Sequence, residues 1–98
     1  MAGDFQVTCI VKRGGHYNPH ERIEALGNTA GKWMLSESEM IRRIEAGSES
    51  FYTMVNGRRA DIVVAIHGNR QYLKTSVDGY APNNLLNLAD CQNCKLLA

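Results

Sequence analysis

Long apolar runs are missing from this sequence. The longest, Ile62–Ile66, falls far short of the ~20 residues a membrane-spanning helix needs. The N-terminus carries Asp4 and lacks a basic stretch followed by an apolar one, so no secretory signal is expected. With two prolines and neither a repeat nor a low-complexity stretch, nothing reads as a linker. Neither sign of charge dominates. Eleven basic against ten acidic residues leave a net charge of +1, whereas a dedicated duplex-DNA binder shows a pI above ~9 and a basic face. No nucleophile elbow, Walker-type phosphate loop or paired-histidine zinc-protease motif occurs, so no reaction is indicated. The three cysteines, Cys9, Cys91 and Cys94, are an odd count without a secretory signal. That argues for reduced thiols and a cytoplasmic protein rather than a disulfide framework.

What is present is an ordinary globular composition, 44% hydrophobic and 21% charged over 98 residues. This is enough for one domain with one modest core. Phe5–Lys12 alternates partially and is rich in β-branched residues, as a strand is, and it stops at the turn signal Arg13-Gly14-Gly15. Asn18-Pro19-His20-Glu21 has the form of a helix start, yet Arg22–Gly27 is short, and turn-then-strand is the preferred interpretation. Glu37–Ala46 is expected to be a helix. Ser36 and Glu39 form a capping box, Leu35 and Met40 a staple, Met40, Ile41 and Ile44 one apolar face, and Gly47 the left-handed exit.

A three-stranded antiparallel meander follows. Asn56-Gly57 tolerates the positive φ angles of a type I′ turn and joins Phe51–Val55 to Arg58–His67. Gly68-Asn69 joins that strand to Arg70–Thr75. Two-residue loops pair Val55 with Arg58 and His67 with Arg70. One face then carries Phe51, Ile62, Val64, Ile66 and Leu73 as core, and the other Tyr52, Met54, Arg59, Asp61, Val63, Ala65, His67, Arg70, Tyr72 and Lys74. Leu85, Leu86 and Leu88 read as a short cap. The expected fold is α+β, a single small domain over 1–98 in the order β-β-α-β-β-β, with one amphipathic helix on the sheet. Its ordered core is expected over roughly 5–90, and residues 91–98 as a flexible tail.

Several strings together resemble a known family. They are Cys9-Ile10-Val11-Lys12, Asn18-Pro19-His20-Glu21-Arg22-Ile23, Ile44-Glu45-Ala46-Gly47, Tyr72-Leu73-Lys74-Thr75, Asp78-Gly79, and Pro82-Asn83-Asn84-Leu85-Leu86 with Cys91. The family consists of small bacterial proteins known only as a domain of unknown function. The resemblance covers nearly the whole chain and marks His20, Glu21, Arg22, Lys74, Asp78, Asn83, Asn84 and Cys91. The sequence departs from the pattern at Ala89, where the family carries a proline two residues before the cysteine. The resemblance implies relatives and no chemistry.

Candidate sites are weighed against structural duties. On the outer face of the meander Arg59, Arg70 and Lys74 could contact phosphates or carboxylates, with Tyr52, Tyr72 and His67 stacking on unpaired bases. The same residues also keep a sheet face soluble. The polar set His20, Glu21, Arg22, Asp78, Asn83 and Asn84 could orient a small molecule or do acid–base work, but turns and caps use the same residue types. Cys91 and Cys94 with His16 and His20 could hold zinc tetrahedrally. Cys9, mid-strand, reads as a small buried hydrophobe, and Trp33 as a residue folded over the helix start. The sequence thus favours a non-enzymatic binding module using the meander face for an acidic protein or single-stranded nucleic acid. No membrane role or cofactor is expected. A small-molecule site or enzyme, a zinc domain, and a homodimer through strand addition stand as alternatives.

Overall fold

The structure is a computed structural model that describes residues 3–12, 23–77 and 83–97. It is mostly sheet with one ten-residue helix, and its two sheets share one core. In chain order come β1 (Gly3–Gln6), β2 (Cys9–Lys12), β3 (Ile23–Asn28), β4 (Trp33–Ser36), α1 (Glu37–Ala46), β5 (Glu49–Val55), β6 (Arg58–His67), β7 (Arg70–Thr75), α2 (Asn83–Leu86), β8 (Ala89–Asp90) and β9 (Lys95–Leu96). One sheet has the order β1-β5-β6-β7 and the other β8-β2-β3-β4-β9.

The meander registers follow from the turns. Asn56 (φ 53°), Gly57 (φ 75°) and Gly68 (φ 64°) hold positive φ, and the pairs Val55–Arg58, Thr53–Ala60, Val64–Leu73 and His67–Arg70 form as the two-residue loops dictate. Phe51, Ile62 and Leu73 lie in the core with Val64 against it. Two positions differ from expectation. Ile66 is 69% exposed, because the core ends at the Val64–Leu73 pair and Ile66 stands beyond it, opposite exposed Gln71. Tyr72 is 4% exposed although it stands opposite Ala65, on the face of β7 away from Leu73, so that face is covered rather than open.

The first expected strand is two. The chain changes sheets at Val7–Thr8, where the Val7 amide donates to Tyr52 O and the Thr8 amide to Gly27 O. This resets the alternation, so Val7 and Ile10 both face the core and Cys9 points elsewhere. A bulge opposite Val11–Lys12 does the same for β3: Glu24 is the extra residue, and Ile23 and Leu26 both reach the core. Trp33–Ser36, expected as a connection, is a strand antiparallel to β3. Gly27 sits between β2 and β4, and a Cβ there would fall on Trp33 O and Met34.

Helix α1 starts at Ser36, whose hydroxyl accepts from the Glu39 amide at 3.2 Å, and ends at Gly47 in the left-handed region. The Glu39 carboxylate is taken by Arg42 and Arg43. Met40 and Ile41 enter the core, with Ile44 against it. Leu85 of α2 is fully buried, and Leu86 and Leu88 pack against the same cluster.

The segment from Cys91 lies against the second sheet rather than hanging as a tail. The Cys91 amide donates to Ile10 O, and the Lys95 and Leu97 amides to Lys32 O and Met34 O. Among the described residues no helix is long and apolar enough to cross a membrane.

Candidate binding site

The basic residues of the meander do not form one surface. The Arg59 guanidinium lies 4.1 Å from the Tyr52 ring centroid and donates from Nη1 and Nη2 to Asp4 at 2.9 and 3.1 Å, and from Nε to Asp61 at 3.1 Å. Asp4 comes from β1, the parallel neighbour of β5, whose arrival no turn announces. Donation from Arg59 holds the Asp4 carboxyl below its usual range and raises the guanidinium. Arg70 turns the other way, to Glu37 at 3.0 Å in the first turn of α1. With a buried ring, Tyr72 cannot stack on a base, which corrects that expectation. His67 and Lys74 are half-buried on the same strands.

His16, His20, Glu21, Arg22 and Asp78 lie outside the described residues, as do the turns at Gly14-Gly15 and Pro82. Asn83 and Asn84 open α2. The zinc arrangement is altered by a bond the sequence did not suggest: Cys91 is joined to Cys9 as a disulfide, Cα atoms 4.8 Å apart. Reduced thiols throughout are thus not what the structure contains. Cys94 is free, and the three sulfurs lie within 4.8 Å of one another. β2 and β8 run parallel in adjacent register, Cys9 beside Ala89, and this brings Cys91 over Cys9.

One apolar concavity was not anticipated. Phe5 on β1, Trp33 and Leu35 on β4, Phe51 on β5 and Leu97 after β9 line a recess of about 140 Å³. The ring centroids of Phe5, Trp33 and Phe51 are 5.9–6.3 Å apart, with Phe5 edge-on to Trp33, the offset geometry that aromatic quadrupoles favour. Its polar wall is Arg43, which donates to Glu49 at 2.8 Å and to Glu39 at 2.7 Å. Phe5 and Phe51 meet because β1 pairs with β5 in parallel register. Parallel pairing has no turn to signal it, so only the apolar character of Trp33-Met34-Leu35 hinted at this site. Trp33 therefore lines a cavity between the sheets instead of folding over the helix start.

The family described as "Protein of unknown function (DUF3892)" matches residues 6–89. The chain belongs to this family. No curated protein and no solved structure matches it. The DUF3892 match takes in Trp33, Phe51 and Cys9 and ends before Cys91 and Cys94. The recess is thus mostly within the family's span, whereas two of the three sulfurs fall outside it.

Proposed function

We propose that the protein is a small non-enzymatic binding module whose aromatic recess takes one apolar side chain of an extended peptide. The observation that carries this is the open recess lined by Phe5, Trp33 and Phe51. Its volume is on the scale of a cavity that accepts benzene, about 150 Å³. β1 and β9 are the outer strands of their sheets among the described residues. These outer strands contribute Phe5 to the recess and carry the chain on to Leu97, a placement that suits strand addition, in which main-chain hydrogen bonds supply affinity and a pocket supplies specificity.

Trp33 is the sole tryptophan, so its emission reports occupancy directly. Titrating blocked hexapeptides of serine and threonine with one central leucine, phenylalanine or lysine should give a saturable change with the first two and none with lysine. Benzene should compete. No response to any peptide or to benzene would end the proposal.

The Arg59–Tyr52 stack supports a second reading, in which the meander face meets an acidic protein or single-stranded nucleic acid. Arg58 beside it is exposed, but an anionic partner must displace Asp4 and Asp61. Short single-stranded DNA and RNA at low salt should then shift the amides of 52–74, and high salt should abolish the shift. Silence at low salt retires this reading. The expectation of a cytoplasmic setting rested on reduced thiols, and the Cys9–Cys91 bond removes that support, because disulfides persist mainly in oxidising compartments.

A further inference from the structure

We propose that Cys9, Cys91 and Cys94 form a thiol–disulfide exchange site at which Cys91 accepts a low-molecular-weight thiol and Cys94 resolves the adduct. Three observations carry it. All three sulfurs are mutually within 4.8 Å, two bonded and one free. Cys9 is fully buried while Cys91 and Cys94 are half-buried, so of the two bonded sulfurs solvent reaches Cys91. Finally, Cys91 lines a recess of about 310 Å³ with Ile10, Val11, Lys12 and Asp90. This is an approach path lined by one basic and one acidic residue, Lys12 and Asp90, suited to a thiol that carries both an ammonium and a carboxylate. Asn93, at φ 57°, turns the chain so that Cys94 returns to the disulfide. The Cys94 thiol lies 3.8 Å from Asn28 O and 3.5 Å from Gln92 O.

Exchange proceeds by attack of a thiolate on a disulfide sulfur through a mixed disulfide. The external thiolate attacks Cys91 Sγ, the Cys9–Cys91 bond breaks, and Cys9 leaves as a thiolate that takes a proton. The Cys94 thiolate then attacks Cys91 Sγ, forms the Cys91–Cys94 bond and expels the external thiolate. One disulfide is lost and one gained, so no oxidant is consumed and the external thiol is regenerated. The product carries its disulfide within a four-residue turn and no longer ties β2 to the C-terminal segment.

The test uses the full chain with Cys9–Cys91 oxidised, incubated without oxygen with reduced glutathione. Acid quenching, alkylation of free thiols and peptide mapping by mass spectrometry follow. The expected result is a second population with Cys91 bonded to Cys94 and Cys9 alkylated, with little adduct. In Cys94→Ser, glutathione should accumulate on Cys91 several-fold above the wild-type level. A wild-type chain that shows only Cys9–Cys91 or full reduction, an adduct on Cys9, or three free thiols after air oxidation would each overturn the proposal without reference to the variant.

Discussion

In the sheet β1-β5-β6-β7, both antiparallel contacts join strands adjacent in sequence across two-residue turns. In the sheet β8-β2-β3-β4-β9, the outer strands come from the end of the described chain and pair in parallel with β2 and β4. A disulfide spanning 82 residues stands beside the first of these pairings. The long strands are therefore organised by local turn chemistry, whereas two-residue strands are held by whatever brings distant segments together. Loop closure charges its entropy before a non-local contact returns anything. A sheet of this second kind leans on a covalent tie and on close backbone packing.

The largest effect should come from removing that tie. Cys9→Ala with Cys91→Ala should lower unfolding free energy in urea by about 4 kcal/mol, the scale for closing a loop of this length. A loss below about 1 kcal/mol would mean that the short parallel pairings suffice alone. Next is Gly27→Val, whose side chain must displace the β4 backbone at Trp33 and Met34. About 3 kcal/mol is expected, as for overpacked interiors, and the Trp33 emission should shift with it.

The matching glycine in the meander behaves differently. Nothing stands within 4 Å of a Cβ at Gly57, so Gly57→Ala faces only the left-handed backbone, about 1 kcal/mol. If thermal unfolding puts Gly27→Val and Gly57→Ala on a par, the contrast between a glycine kept for space and one kept for its dihedral fails.

The smallest effect belongs to the helix that packs beside both sheets. Donation from Arg42 and then Arg43 lowers the Glu39 carboxyl from 4.5 to about 2. A carboxyl depressed in the folded state stabilises it fully above the unfolded value, and that contribution is lost as pH falls through the folded value. Unfolding midpoints should thus decline between pH 4.5 and about 2. Because the cluster sits at the surface, with Arg42 open to solvent and Glu39 and Arg43 half-buried, water screens it. The decline should be shallow, and Glu39→Gln should flatten it.

The same division explains what could be read from the sequence. Asn56-Gly57 and Gly68 specify their turns by φ, and Ser36 and Gly47 bound α1, because each acts within a few residues. Trp33–Ser36 was hidden because a four-residue strand before a helix cap shows no period. Tyr72 was misplaced because the two-residue period says which side chains share a face of β7 but not whether that face is open, and here it is covered. Cys9 was rightly placed inside, but its bond to Cys91 depends on the parallel contact of β2 with β8. The recess was invisible for the same reason, since Phe5 and Phe51 meet across a parallel pair.

The crossing at Val7–Thr8 gives consecutive amides to different sheets, one bonded to Tyr52 and the next to Gly27. Hydrogen exchange at these two positions therefore places two gauges a single peptide apart. If the sheets open as separate cooperative units, the neighbours will exchange with different free energies. If the molecule opens as one, residues 7 and 8 will keep the same time.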